Sequence, residues 1–309
     1  MPPTKTANKT WTTRGLLAWM TQAFEQKDLD SPRLFAELLL SHVIGCERLK
    51  LYMEVDRPAT PLERQTLRDL VGRALNHEPV QYLVSEAWFF GLPFHVDSRV
   101  LIPRPSTETI VEHILQHVRA EPGFGGEKGE GLLGADICTG SGCIAITLAK
   151  NLPGARIIAT DISPDAIEVA HTNAERHDVA DRVELLQGDL LGALADHPAA
   201  GRNTLHLIAS NPPYIPDHEW PQVEPNVKDY EPHAALRAGA DGLDFISKII
   251  ETSPPLLRPH GMFLIETAAS HAKQAAALLE AQPGITDVHI LRDNDGLDRV
   301  VVGRKSHEN

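Results

Sequence analysis

From residue 133 onward, short apolar runs alternate with amphipathic stretches. The runs are LGADI (133–137), ARIIAT (155–160), RVELLQ (182–187), LHLIAS (205–210), MFLIET (262–267), VHIL (288–291) and RVVVG (299–303). Helical spacing falls between them at 142–151, 164–177, 241–257 and 269–281. Such alternation predicts an α/β fold with a mostly parallel, doubly wound sheet, because a parallel strand can be reached only by a crossover, usually a helix. In that architecture ligands bind outside the carboxyl ends of the strands.

The first hundred residues read differently. Residues 12–26, 32–45 and 61–76 carry apolar residues three and four apart. Ser31-Pro32 and Thr60-Pro61 are start signals, in which the hydroxyl residue can cap and proline tolerates the first helical turn. A helical bundle is therefore expected over residues 1–84. Residues 86–97 (EAWFFGLPFHVD) suggest a β-hairpin, and the two prolines around Arg104 suggest a stiff, extended linker, so residues 85–108 form a connecting segment before a domain over 109–309. The glycine-rich stretch 121–134 is expected to be a flexible surface insertion.

Charge follows the same division. The 309 residues hold 29 Lys+Arg and 42 Asp+Glu, a net of −13, yet residues 1–100 carry 12 of each sign. The whole acidic excess thus falls in residues 101–309. That argues against gripping a nucleic-acid backbone, which needs clustered cations. Three cysteines (Cys46, Cys138, Cys143) make no disulfide framework and no metal-ligand pattern, so no metal is expected and a reducing cytoplasm fits best. No run reaches the roughly 20 apolar residues that span a bilayer, and the N-terminal MPPTKTANKTWTTRG lacks a leader's apolar stretch.

Two clusters carry chemistry. After the first strand comes Asp136-Ile-Cys-Thr-Gly140-Ser-Gly142-Cys-Ile-Ala145, whose glycines permit a tight turn and close approach of a ligand. The second strand ends in Asp161, 21 residues beyond Gly140, where a carboxylate can accept from ribose hydroxyls. A glycine turn with a following carboxylate also fits a nicotinamide-dependent oxidoreductase. The fourth strand ends in Ser210-Asn211-Pro212-Pro213-Tyr214. There the Asn211 carbonyl and the Pro212 backbone carbonyl can accept both hydrogens of a planar NH2 group, while the Tyr214 ring packs on its face. An adenine amine would suit this loop as well as an amide. A non-catalytic adaptor built on the helical bundle is a further alternative.

Taken together, these clusters resemble class I S-adenosylmethionine-dependent methyltransferases, which have a Rossmann-like sheet. EPVQYL (78–83), FFGLPFHVD (89–97) and VLIPRPSTE (100–108) narrow the likeness to the HemK-type protein-glutamine methyltransferases, over nearly the whole chain. The resemblance implies that Cys138, Thr139, Gly140, Ser141 and Gly142 cradle the amino-acid end of S-adenosylmethionine, that Asp161 holds its ribose and that Asp189 contacts adenine. It implies that Asn211, Pro212, Pro213 and Tyr214 bind the glutamine amide, with Asn211 also beside the cofactor and Asn211, Pro212 and Tyr214 as the catalytic set. Arg104, Pro105, Thr107, Glu108 and Glu266 match the edge of the cofactor pocket, although an Arg104 ion pair anchoring the linker is a competing role.

Two positions depart from the pattern. Ser106 replaces a usual acidic residue, and Cys138 replaces a usual glycine. CTGSGCIAI resembles the branch acting on a large-subunit ribosomal protein, whereas SPRLFAELLLSHVIG and RDNDGLDRVVVGRK resemble the branch acting on class I peptide chain release factors. The latter implies a monomeric enzyme whose partner is a release factor and whose target is the glutamine of a Gly-Gly-Gln loop, with no membrane and no direct nucleic-acid contact. The acidic excess leads us to expect an acidic rim around the Asn211 loop.

Overall fold

The computed structural model describes residues 11–195 and 197–307, so the first ten residues of the leader reading lie outside the described residues. Two compact units are present. The first contains, among the described residues, 11–85 together with Pro225–Tyr230, a short piece that the sequence pattern places in the other domain. Its helices are α1 (Thr13–Glu25), α2 (Pro32–Ile44), α3 (Arg48–Met53), α4 (Pro61–Leu75) and α5 (Val80–Val84). Met20, Phe24, Leu39, Leu40 and Leu67 are fully buried and form its core.

The two start signals behave differently. Thr60 and Glu63 make a reciprocal capping box, with Glu63 N donating to Thr60 Oγ1 at 3.2 Å and Thr60 N donating to Glu63 Oε2 at 2.8 Å. Ser31 makes no capping hydrogen bond, because its backbone takes φ +47° and turns the hydroxyl away. Pro32 alone supports that start.

The second unit opens with a two-stranded hairpin, β1 (Ala87–Phe89) and β2 (Leu92–Phe94). Helix α6 (Glu108–Ala120), absent from the elements expected from the sequence, follows the linker. Ile110, Val111, Ile114, Leu115 and Val118 are its buried stripe. Then come β3 (Leu133–Ile137), α7 (Cys143–Asn151), β4 (Arg156–Asp161), α8 (Pro164–Arg176), β5 (Val183–Gln187) and β6 (Leu205–Ser210). After α9 (Pro225–Lys228), which belongs to the first unit, the chain adds α10 (Asp244–Thr252), β7 (Leu257–Glu266), α11 (Ala272–Glu280), β8 (Ile285–Arg292) and β9 (Asp298–Lys305).

The sheet order is β5-β4-β3-β6-β7-β9-β8, parallel from β5 to β7 and antiparallel at β9 and β8. Side chains alternate across it, as strand pleating requires. Ile157, Leu207, Met262, Leu264, Val300 and Val302 join the apolar layer under α6 and α7. Ile158, Ile208, Phe263, Ile265 and Val301 join the layer under α10 and α11. Both faces are covered, which explains the nearly continuous apolar strands.

Two further expectations are corrected. Pro254-Pro255 ends α10 early, so Leu257 begins β7 rather than finishing a helix. The glycine-rich stretch is anchored: Phe124 is 2% exposed, with the His117 ring 4.8 Å away and the Arg258 guanidinium 4.9 Å from its centroid. One aromatic side chain provides the attachment that composition alone conceals. No described helix is long and apolar enough to cross a membrane.

Candidate active site

Strand order reverses between the neighbouring parallel strands β3 and β6, where one crossover runs toward β4 and the other toward β7. At their carboxyl ends lies a cavity of about 290 Å3, wholly within the second unit. The turn after β3 supplies Cys138, Thr139, Gly140 and Ser141 to its wall, β4 supplies Asp161, the loop after β5 supplies Asp189, and β6 leads into Asn211 and Pro213. Arg104 and Thr107 line it from the linker side.

The turn is held from several directions. Thr139 N donates to Thr160 O at 2.9 Å, and Gly140 N donates to Asp161 Oδ2 at 2.9 Å. Asp161 Oδ1 accepts from Ser163 N at 3.0 Å. Burial pushes the Asp161 pKa up, while these backbone donors pull against it. At Gly140 the backbone is left-handed (φ +54°) and a Cβ would meet nothing within 4 Å, so the space beside it is open. Cys138 shares that backbone region (φ +62°), which is the physical reason glycine is at home there and the cysteine is strained.

Other predicted residues stand behind the wall. Gly142, expected to cradle the cofactor, does not line the cavity: a Cβ on it would come within 2.7 Å of Ile146 Cδ1 and 3.2 Å of Ala170 Cβ, so it is needed for close packing of α7 on α8. Pro212 is buried outside the lining, and Pro105 is an exposed residue opening a single 3₁₀ turn (Pro105–Thr107). Glu108 accepts from Phe90 N at 2.6 Å and ties the hairpin to α6 instead of facing the cavity. Tyr214 packs into the apolar layer under α10 and α11, with the Glu266 carboxyl nearby. Burial together with the Glu266 charge raises the Tyr214 pKa. Glu266 is itself fully buried and receives the Ser106 hydroxyl at 3.2 Å, a contact that gives the departing serine a purpose.

Three important residues were not singled out from the sequence. Asn173, fully buried, accepts from His95 N at 2.7 Å and donates to Ser141 O at 2.9 Å, stitching the connecting segment to the turn. Glu231, 3% exposed, accepts from Ile102 N at 3.1 Å and pairs with Arg104 at 2.5 Å. That pair realises the anchoring role for Arg104 while leaving it in the cavity wall. No periodicity or spacing marks Glu231. Asp136 could have been found from its place at the end of β3.

Asp136 is fully buried, with Oδ2 accepting from Thr139 Oγ1 at 2.6 Å and from Ala145 N at 3.1 Å, while Oδ1 has no partner among the described residues. Burial pushes its pKa up to about 7 from an ordinary 3.8. A raised folded-state pKa contributes stability that is fully present below the unfolded value and is lost as pH rises through the folded one. This group therefore weakens the fold between about pH 4 and pH 7. Asp136→Asn is expected to reduce the stability difference between pH 5 and pH 8 by about 2 kcal/mol in urea titrations; an unchanged difference would refute the assignment.

Charge around the cavity also differs from expectation. Its lining contains Arg99, Arg104 and Arg237 besides Asp161 and Asp189, so the rim is not simply acidic. Each arginine is paired, to Asp97 at 2.7 Å, Glu231 at 2.5 Å and Asp217 at 2.7 Å respectively. Neutralisation of the three cations leaves the two aspartates as the excess charge. Two carboxylates beside apolar Ile162, Leu190 and Ala166, next to an open glycine turn, suit a nucleoside carrying an amino-acid tail.

A family model described as the PrmC N-terminal domain matches residues 15–84, and one described as a methyltransferase domain matches residues 135–229. A protein of Chlorobaculum tepidum named "Release factor glutamine methyltransferase" is 42% identical over 291 residues, 94% of this chain and 96% of that protein. A protein of Geobacter sulfurreducens with the same name is 39% identical over 95% of this chain and 97% of its own length. Among solved structures, the N-terminal domain of human METTL16 in complex with SAH aligns with a TM-score of 0.52, covering 92% of this chain and 97% of that one; at 18% identity it speaks to the fold alone.

Proposed function

The chain belongs to the release factor glutamine methyltransferase family, and from that premise we propose that it transfers a methyl group from S-adenosylmethionine to the side-chain amide nitrogen of a release-factor glutamine, in the Gly-Gly-Gln loop. The observation that carries this reading is the meeting of Asn211 with the glycine turn, Asp161 and Asp189 in one cavity.

When bound, S-adenosylmethionine supplies an electrophilic sulfonium methyl. We assign its amino-acid end to Cys138–Ser141, its ribose to Asp161 and its adenine to the neighbourhood of Asp189, with Arg104 and Thr107 at the edge. An amide nitrogen is a weak nucleophile, since its lone pair is delocalised into the carbonyl. Positioning and electrostatics must lower the barrier. In our reading the Asn211 carbonyl accepts one amide hydrogen and the backbone carbonyl of Pro212, a residue that itself stays outside the cavity lining, accepts the other; together they favour positive charge developing on nitrogen and fix the direction of its lone pair. The nitrogen then loses a proton to water, so no buried general base is needed. Tyr214 packs into the apolar layer rather than stacking on the amide.

The test is incubation with labelled S-adenosylmethionine and, separately, purified release factor, large-subunit ribosomal protein and DNA. Label should appear on a glutamine of the release factor; label on DNA alone would overturn the reading, and label on ribosomal protein alone would move the chain to the neighbouring branch. The uncompensated aspartates suggest attraction of a basic loop. Transfer to release factor is therefore expected to slow as salt rises from about 50 to 500 mM, where screening shortens to a few ångströms; a salt-independent rate would reduce the acidity to solubility charge.

A further inference from the structure

An asparagine side chain has one end that accepts hydrogen bonds and one that donates, and β6 by itself does not decide which end of Asn211 enters the cavity. The deciding contact comes from the linker. Asn211 Nδ2 donates to Thr107 Oγ1 at 3.0 Å, and both residues line the cavity. Thr107 is 1% exposed, so water does not compete for this bond. Its hydroxyl carries a single proton, and the buried Glu266 carboxyl, which receives Ser106 on one oxygen and has its other oxygen unpartnered among the described residues, lies close enough to Thr107 to be stabilised by it. A carboxyl group keeps acceptor lone pairs in either protonation state. Once the Thr107 proton points to Glu266, the oxygen can only accept from Asn211. Only the NH2 end of the asparagine can then face Thr107. Turning the amide over would set two acceptor oxygens against each other in a buried place, at the cost of a hydrogen bond.

We infer that Thr107, itself oriented by Glu266, is a positioning residue that fixes the side-chain amide of Asn211 and turns its carbonyl oxygen toward the glutamine NH2. The hydroxyl-carboxyl pair makes the Asn211 pocket an acceptor site. This role rests on the proposed reading of Asn211 as the group that receives the substrate amide, and it adds a cause for that asparagine's direction.

The experiment compares the full chain with its Thr107→Ser and Thr107→Val variants. Side-chain amide exchange of Asn211 is followed by 15N NMR, with its signals identified by their loss in Asn211→Ala. In the wild type and Thr107→Ser one Asn211 amide proton is expected to exchange at least about tenfold more slowly than in Thr107→Val. Methyl transfer to release factor should fall roughly 10- to 100-fold in Thr107→Val and stay within about threefold of wild type in Thr107→Ser. An unprotected Asn211 amide in the wild type overturns the inference, as does wild-type turnover in Thr107→Val. Should Thr107→Val fail to fold, protection in the wild type and Thr107→Ser decides alone. If the wild type methylates no release factor but its Asn211 amide is protected only with a hydroxyl at 107, the functional reading fails and the orienting contact stands.

Discussion

Asn211→Ala is expected to lower methyl transfer to release factor roughly a thousandfold, in line with the loss of a polar group aimed at developing charge. Binding of S-adenosylhomocysteine should stay within about threefold of wild type, measured by calorimetry. The contrast arises from the division of labour in the cavity. The residues assigned to the cofactor lie mainly on the turn after β3, the end of β4 and the loop after β5, whereas Asn211 leads out of β6. Alanine removes the proposed acceptor for the substrate amide and frees the Thr107 hydroxyl, but leaves the Gly140-Asp161 and Thr139-Thr160 hydrogen bonds in place. Near-normal turnover would remove Asn211 from the mechanism, and equal loss of cofactor binding would make it a structural residue.

Arg104→Ala is expected to destabilise the second unit by about 3 kcal/mol at pH 8, because it strands a buried carboxylate. The Glu231 side chain is 1% exposed, and after the change only the backbone N–H of Ile102 would still donate to it. Burial already raises the Glu231 pKa, with Arg104 pulling it back. Without the arginine the pKa rises further. Since a raised folded-state pKa costs stability as pH increases, the penalty should shrink toward pH 5, where the carboxyl can take up a proton. Urea denaturation of wild type and variant at both pH values measures this. The same substitution should weaken S-adenosylhomocysteine binding, as Glu231 precedes Pro232, Ala234, Ala235 and Arg237, which form part of the cavity wall. A loss below about 1 kcal/mol with unchanged ligand affinity would mean that the pair is replaceable by water.

Much of the architecture could be read from local pattern. Strands buried on both faces appear as apolar runs, and the turn after β3 declares itself through glycines at positions whose φ is positive, Gly140 at +54° and Gly142 at +81°. Helix α6 carries Ile110, Val111, Ile114, Leu115 and Val118 at helical spacing, yet it stands between the proline-bracketed linker and the glycine-rich stretch, whose residue types dominate the local pattern. In the glycine-rich stretch itself, composition describes backbone freedom, whereas Phe124 determines where it is held.

What the sequence by itself determined is the order of the elements, the sheet edge at which chemistry would gather and the residue types that gather there. These follow from periodicity, turn chemistry and strand ends, all of them local properties. Tertiary structure alone decided which of those residues face the cavity. It set Gly142 against α8 and Tyr214 in the apolar layer under α10 and α11, and it brought Glu231 to Arg104 across 127 positions, Thr107 to Asn211 across 104 and Ser106 to Glu266 across 160. Such pairs have no signature in spacing, because a buried polar group is satisfied by whatever the fold carries to it, however far away along the chain.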